Sequence, residues 1–237
     1  MIVGVNFGDK NTYTDFGLFL TDRKIGAADV RRKTISIPGR DGVLDYTMAF
    51  GRAFYDDRKI EFDFKLIDRD TFYKTYTELA EYLHGKKMRV SMEEDPAYYY
   101  EGICAVSDMA VSKALGKFTI TVYADTYKYG VSSSTEDIPW DDVDFETTCF
   151  RYLGTLDITD RLVLTIPKGG VEVVPIINVA SFTSDTFKIY SNRERVTHNL
   201  AVGRNRFPNL TVCGTTDVNL TITGTGTLTI DYREARL

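Results

Sequence analysis

The feature that most constrains the fold is a strict alternation of apolar and polar residues in distant parts of the chain. Residues 59–66 alternate Lys, Glu, Asp and Lys with Ile, Phe, Phe and Leu. Residues 118–122 and 218–223 alternate in the same way, with threonine and asparagine at the polar positions. Successive side chains of a strand point to opposite faces, so this period of two is typical of half-buried strands. The pattern favours a mainly β protein.

The end of the chain carries the clearest example of this pattern. Two alternating segments, 218–223 and 228–232, are separated by Gly224, Thr225 and Gly226. Strands joined by a short glycine-rich turn predict a β-hairpin with its threonines facing outward. The second half of the chain therefore consists of short strands and polar turns, which is typical of a β-sandwich.

One helix is predicted in the first half of the chain, directly after the strand at 59–66. Four apolar residues recur there at helical spacing: Phe72, Tyr76, Leu79 and Leu83. Asp70 is the expected N-cap and Gly85 the expected end of the helix. The apolar stripe predicts that this helix packs on the sheet.

The chain divides into two predicted domains, 1–130 and 148–237, joined by a segment at 131–147. Residues 132–146 contain six acidic residues and no basic one, which favours a solvated linker. A calcium loop is the alternative, but such a loop needs a turn glycine and this segment has none. Trp140 lies in the segment and is a candidate interface aromatic, because exposed aromatics often dock onto a neighbouring domain or subunit.

Residue counts exclude several kinds of site. The chain has 29 Tyr and Phe residues, one Trp, two His and three Cys. Cys104, Cys149 and Cys213 are too few and too scattered for a disulfide framework or a rich metal centre. They are predicted to be buried thiols. No cofactor is predicted.

The charge pattern argues against stable binding of nucleic acid. The formal net charge is −5, and the residues before Gly130 include 19 basic and 20 acidic ones. A phosphate-binding surface needs a basic excess, which this half lacks. No run of eighteen apolar residues occurs, so no membrane span is predicted.

Catalytic motifs are equally scarce, and the sequence predicts a protein that is not an enzyme. His84 stands at the expected end of the helix, where capping is the favoured role. His198 lies in the polar run 192–199, which is predicted to be a loop or hairpin tip. Neither accompanies a nucleophile-elbow motif. A glycosidase, which needs only two carboxylates, stays open as an alternative.

A proline- and glycine-rich turn at 37–45 is the strongest candidate for an interaction element. Pro38 presets its backbone angle, Gly39 and Gly42 permit a positive φ, and Arg40 and Asp41 are expected to be exposed. The turn is either an interface element between subunits or only a part of the fold.

Three ordered segments resemble the distal tail proteins (Dit) of long-tailed phages that infect Gram-positive bacteria. The turn at 37–45 is similar to a proline-glycine-arginine-acid-glycine loop of that family. Residues 95–102 and 118–130 resemble its strand entry and closing strand, although Asp125-Thr126-Tyr127 lacks a proline that the family often has there. Residues 203–210 and 229–237 resemble its last strands and basic-ended tail.

The resemblance implies a fold and a function. It implies an N-terminal β-sandwich with one helix and a C-terminal galectin-like β-sandwich. The N-terminal domain would form a hexameric ring in the virion, at the tail tip, through which DNA passes. The implied partners are the tail tube protein, the tail-associated lysin or fibre protein, and a receptor-binding protein on the C-terminal domain. A carbohydrate-binding module for cell-wall glycans is the alternative function, against which the lack of a tryptophan after residue 150 argues.

Overall fold

The computed structural model describes residues 4–66, 71–107, 110–111, 116–136 and 152–237. The chain divides into two compact units, Met1–Lys128 and Tyr129–Leu237. Both are built mainly of antiparallel strands, and the described residues contain one helix. The mainly β class with one helix is therefore confirmed.

The described part of the N-terminal unit contains one large sheet, a separate two-stranded sheet and one helix. Its described elements are, in chain order, β1 (Val5–Phe7), β2 (Lys10–Asn11), β3 (Leu18–Ile25), β4 (Thr34–Ser36), β5 (Val43–Asp45), β6 (Arg58–Leu66), α1 (Phe72–Leu83), β7 (Lys87–Met92), β8 (Tyr98–Val106), β9 (Ala110–Val111) and β10 (Gly116–Ala124). The sheet order is β2-β1-β7-β8-β10-β6-β3, with β9 beside β10. Strands β6 and β10 form its longest ladder, from Gly116 opposite Leu66 to Ala124 opposite Arg58.

The two ends of this sheet come together. The backbone N–H of Leu18, at the start of β3, donates to the carbonyl of Thr12, just after β2, at 2.9 Å. Thr12 in turn bonds to β1, because its backbone N–H donates to the carbonyl of Val5 and its hydroxyl accepts from the N–H of Val5, both at 3.0 Å. The sheet therefore wraps around a core formed by the alternating apolar residues of β6 and β10.

Helix α1 begins at Phe72, with Thr71 as its N-cap. Asp70, the predicted N-cap, lies outside the described residues. The predicted end is confirmed, because Gly85 follows the helix with a φ of 76°, a conformation that glycine adopts without the Cβ penalty. Phe72, Leu79 and Leu83 are buried and belong to the core of the sheet. The predicted apolar stripe is thus the packing face.

The C-terminal unit contains two facing four-stranded sheets. After β11 (Lys128–Gly130), which begins at the last residue of the first unit, its described strands are β12 (Thr155–Ile158), β13 (Arg161–Ile166), β14 (Gly169–Val173), β15 (Ile176–Phe182), β16 (Lys188–Ser191), β17 (Thr197–Asn199), β18 (Gly203–Asn205), β19 (Val212–Gly214), β20 (Val218–Thr223), β21 (Gly226–Asp231) and β22 (Ala235–Arg236). One sheet has the order β12-β21-β15-β18 and the other β13-β20-β16-β17, while β14 pairs with β19. Both sheets contribute to one core.

The predicted C-terminal hairpin is wrong. Strand β20 pairs with β13 and β16, whereas β21 pairs with β12 and β15 in the other sheet. Residues 224–226 carry the chain from one sheet across to the other, held by bonds from Gly224 to the carbonyl of Asp160 and from Thr225 to the hydroxyl of Ser184. Both strands turn their apolar side chains toward the shared core, so the alternation predicts the buried face of each strand but not its partner.

The start of the expected linker is an ordered part of the C-terminal unit. In contrast to the solvated segment expected at 131–147, Ser133 and Ser134 are buried. The hydroxyl of Ser134 donates to the carbonyl of Ile230 at 2.7 Å and accepts from the backbone N–H of Tyr232 at 2.8 Å. Hydrogen bonds to β21 and the residue after it explain the difference. Residues 137–151, which include Trp140, lie outside the described part of the chain.

Candidate assembly surface

Between β3 and β6 the chain leaves the sheet and forms an extension that we call the arm, residues 26–57. Its base is closed by the N–H of Gly26, which donates to the carbonyl of Lys59 at 3.0 Å. Further out, Val30 and Tyr55 form an antiparallel bridge. The outer part is a two-stranded hairpin of β4 and β5, with Ile35 opposite Leu44.

The internal bonds of the arm are almost all at its surface. Arg31 pairs with Asp56 at 2.6 Å and Arg32 with Asp45 at 3.5 Å, and all four side chains are about half exposed or more. Hydrogen bonds from the side chain and backbone of Thr47 lower the pKa of Asp45. Exposed ion pairs stabilise a fold by at most about 1 kcal/mol, and an isolated two-stranded hairpin is marginally stable in water. The arm therefore has few stabilising contacts of its own.

The arm nevertheless carries a concentration of exposed apolar side chains. Of the 18 large hydrophobic residues that are exposed in the described chain, half lie on the arm or at its root: Ile25, Val30, Ile35, Ile37, Val43, Tyr46, Met48, Phe50 and Phe54. Phe50 is 84% exposed. Its ring meets the ring of Phe54 edge to face, with the two ring centroids 6.2 Å apart. A concentration of exposed apolar side chains is typical of an interaction surface.

The hairpin of the arm has one apolar face. Ile35 and Leu44 are directly opposite each other. Ile37 and Tyr46 each lie two residues further along the chain, just beyond the ends of β4 and β5, and side chains two apart in extended chain point to the same face. The other face presents Thr34, Ser36 and Asp45 together with Val43. An amphipathic hairpin is typical of one that covers, or is covered by, another surface.

The predicted turn forms the tip of this hairpin. Gly39 and Gly42 have φ values of 81° and 78°, as the turn prediction requires, and Arg40 donates from its N–H to the carbonyl of Ile37 at 3.1 Å. Pro38, Arg40 and Asp41 are exposed. The turn geometry is thus confirmed, and its place at the end of an exposed arm is the structural information that its sequence did not contain.

The two histidines occupy structural positions. His84 is the C-cap residue of the helix, as predicted, and its backbone N–H donates to the carbonyl of Ala80 at 2.9 Å. Its side chain does not cap helix carbonyls, because the ring Nδ1 accepts a hydrogen bond from the backbone N–H of Val106 on β8 at 3.1 Å.

His198 lies on strand β17, directly opposite Ile189 of β16, rather than in the loop or hairpin tip that was predicted. Its ring stacks on Phe207 with centroids 4.3 Å apart. Its Nε2 is 3.5 Å from a carboxylate oxygen of Glu194.

The remaining chemical candidates give no site in the described part of the chain. Cys104 and Cys213 are both buried, as predicted, and burial raises the pKa of the Cys104 thiol to about 11. Cys149 lies outside the described residues. Among the residues described, no group of three or more His, Cys, Asp or Glu residues is arranged to hold a metal ion. No helix in that part is long and apolar enough to cross a membrane.

Comparison with known proteins places this architecture. Residues 10–124, which hold the arm and the strands from β2 to β10, match the family model of the phage tail protein RIFT-related domain. The N-terminal unit is therefore similar, over these residues, to this family of phage tail domains. No curated protein matches the chain.

The whole chain has the fold of a distal tail protein. It is similar to the Dit protein of phage SPP1, with a TM-score of 0.67, 13% sequence identity and 100% coverage of both chains. That protein is described as a paradigm of the hub adsorption apparatus in phages that infect Gram-positive bacteria. The resemblance stated from the sequence motifs is thereby confirmed for the tail domain and for the fold.

Proposed function

We propose that the chain is a non-enzymatic hub protein of a phage tail tip, whose N-terminal unit assembles into a closed ring of six copies. The arm is the observation that carries this proposal. The arm and its root expose half of the large apolar residues that are exposed in the described chain, and the hairpin of the arm has few stabilising contacts of its own. A contact with another subunit would remove this apolar surface from water and stabilise the hairpin.

A ring follows from the kind of contact that an arm makes. An arm that lies on a different surface of the next copy forms a head-to-tail interface, and such interfaces close into rings when the rotation between copies permits. The number six comes from the resemblance to distal tail proteins. The similar fold of the SPP1 hub protein supports it.

The tip of the arm is proposed to contact a neighbouring subunit or the tail tube. Arg40 and Asp41 are exposed there, and an added Cβ at Gly39 or Gly42 would meet nothing within 4 Å. Reversing the charge of Arg40 or Asp41 should therefore weaken assembly without unfolding the subunit. Trp140 is a second proposed contact, with a neighbouring domain or subunit.

The balanced charge of the first half suits a pore. With 19 basic and 20 acidic residues before Gly130, DNA would pass without the counterion release that makes binding tight. We place the ring in the virion, between the tail tube protein and the tail-associated lysin or fibre protein. The C-terminal sandwich would support a receptor-binding protein.

The experiment that tests this function measures the mass of the assembly with and without the apolar arm. Native mass spectrometry of the wild type is compared with the double variant Ile35→Ser, Phe50→Ser. A matched control is Val202→Ser, which changes an apolar residue that is 64% exposed in the C-terminal unit. We expect the arm variant to be monomeric with an unchanged melting temperature and the control to assemble. An arm variant that assembles as the wild type does contradicts the proposal.

A further inference from the structure

A second exposed apolar surface lies on the outer face of the N-terminal sheet. Apart from the arm and its root, the described residues of this unit expose three large hydrophobic side chains, namely Tyr73, Ile103 and Tyr123. Tyr73 is on the helix. Ile103 and Tyr123 are directly opposite each other on β8 and β10, and they are 48% and 55% exposed. We call these two residues the sheet patch.

The sheet patch is flanked by two lysines that form ion pairs. On one side of the patch, Lys59 of β6 lies directly opposite Tyr123. On the other side, Lys87 of β7 lies directly opposite Ile103. Lys59 pairs with Glu61 at 2.5 Å, and Lys87 pairs with Asp125 at 3.2 Å and Glu101 at 3.7 Å. These five rim residues carry a net charge of −1. The result is an apolar centre with a polar rim, which is the usual anatomy of an interface.

The arm has the shape and reach to cover this patch on another copy. Its hairpin presents an apolar sheet face, and two sheet faces pack well at about 10 Å. The 15 residues from Gly26 to Arg40 span up to about 50 Å when extended, which exceeds the roughly 14 Å radius of gyration of a 128-residue unit.

The patch and the root of the arm are neighbours on the sheet. Lys59, which closes the base of the arm, stands directly opposite Tyr123. Both residues of the patch remain exposed in the single chain, so its own arm leaves them uncovered. A head-to-tail ring needs two different complementary surfaces on each subunit, and the arm supplies only one.

We infer that the apolar hairpin face of the arm packs on the Ile103–Tyr123 patch of the next copy of this chain. This inference rests on the proposed ring and names its second surface. Tyr123 is the expected centre of the contact, because tyrosines in the middle of an interface contribute much of its binding free energy. In such a ring, the arm of each subunit contacts one neighbour and its sheet patch contacts the other.

Cysteine cross-linking between differently tagged copies tests the contact. One copy carries Ile35→Cys and the other Tyr123→Cys, both with Cys149→Ser; Cys104 and Cys213 are buried. We expect a short bismaleimide to join the two tags when the copies are assembled together. The matched control pairs Ile35→Cys with Asp63→Cys, an exposed outer-face position away from the patch, and should give little product. Equal yields from both pairs, or cross-linking only within one chain that carries both cysteines, would overturn the inference.

A substitution pair separates this inference from the ring itself. Tyr123→Ser should weaken assembly at least tenfold while the melting temperature stays the same, whereas Tyr73→Ser, which alters the 69% exposed tyrosine of the helix, should assemble normally. A ring that forms with Tyr123→Ser as with the wild type refutes the patch and leaves the proposed function intact. A wild-type chain that stays monomeric at every concentration refutes both.

Discussion

Phe7 and Phe62 meet edge to face in the N-terminal core, with ring centroids 6.0 Å apart and ring planes at 85°. In the sheet order, three strands separate β1, which carries Phe7, from β6, which carries Phe62. Neighbouring strands lie about 4.8 Å apart, so a flat sheet would place the two residues roughly 19 Å apart. The contact therefore shows that the sheet is strongly curved. It forms inside the core that the curved sheet encloses.

Because this contact joins distant strands, its loss should destabilise the whole N-terminal unit. Phe7→Ala leaves a cavity among fully buried side chains, and such substitutions cost about 3–5 kcal/mol. Chemical denaturation followed by circular dichroism should show an earlier transition for this unit. Phe50→Ala, which removes an exposed phenylalanine of the arm, is the control and should leave the free energy of unfolding unchanged. A small effect of Phe7→Ala would show that the sheet does not depend on its closure.

Gly116 is predicted to be irreplaceable because the ring of Phe72 occupies the place of its side chain. An added Cβ would lie 1.5 Å from Cε2 of that ring, so Gly116→Ala must displace the first residue of the helix. Overpacking of this kind costs typically about 1–3 kcal/mol. Gly130→Ala, whose Cβ would meet its nearest neighbour at 3.7 Å, is the matched control for thermal unfolding. Phe72→Leu should partly rescue Gly116→Ala; if it does not, the steric explanation fails.

Tyr82 and Asp9 should make the stability of the first unit depend on pH. The hydroxyl of Tyr82 lies 2.5 Å from a carboxylate oxygen of Asp9 and 2.8 Å from the carbonyl of Phe7. The hydrogen bond from Tyr82 lowers the pKa of Asp9. Burial, followed by the bond to Asp9, raises the pKa of Tyr82 to about 12.

The sign of each effect follows from linkage. A lowered carboxyl pKa stabilises the fold above its ordinary value of 3.8 and ceases to do so as the pH falls through the lowered value. A raised phenol pKa stabilises the fold below its ordinary value of 10 and ceases to do so as the pH rises through about 12. Tyr82→Phe should therefore be less stable than the wild type at neutral pH, with a difference that narrows in strong acid. Denaturation curves at several pH values measure it, and a difference that stays constant into strong acid would rule out the Asp9 contribution.

Ser134 should matter far more than the serine before it. Its buried hydroxyl forms two hydrogen bonds to the C-terminal strand region, so Ser134→Ala should destabilise the C-terminal unit by about 1–3 kcal/mol. The hydroxyl of Ser133 contacts Thr135 within its own segment, and Ser133→Ala should have the smaller effect. Thermal unfolding of the two variants compares them directly. Equal effects would mean that burial alone, and not the link from Ser134 to residues 230 and 232, anchors this segment.

The sequence predicted individual helices and strands better than it predicted which strands pair with each other. The alternation at 59–66 and the helical spacing from Phe72 to Leu83 follow directly from which side of each element is buried, and both predictions are confirmed. The hairpin at 218–232 failed because apolar alternation is the same for strands of one sheet and of two facing sheets. Only contacts distant in sequence, such as the bond from Gly224 to Asp160, distinguish the two.

At the candidate assembly surface, too, local structure was predicted and the surrounding three-dimensional arrangement was not. The turn at 38–42 was predicted from proline and glycine, since those residues restrict or permit backbone angles locally. The sequence motifs gave no sign that the turn ends a long exposed arm, because Ile35, Val43 and Phe50 would suit a buried core equally well. His198 was misplaced for a different reason: a polar run suggested a loop or hairpin tip, whereas backbone pairing with Ile189 places His198 on strand β17, just beyond the tip of the β16–β17 hairpin.

The most direct test of the central claim is the mass and symmetry of the wild-type assembly. Native mass spectrometry combined with electron-microscopy class averages should show six copies of the 26.8 kDa chain, about 161 kDa, in a closed ring with a central pore. The arm variant Ile35→Ser, Phe50→Ser should give single subunits under the same conditions. Rings that form without the apolar arm, or a wild-type chain that shows no ring at any concentration, would contradict the account.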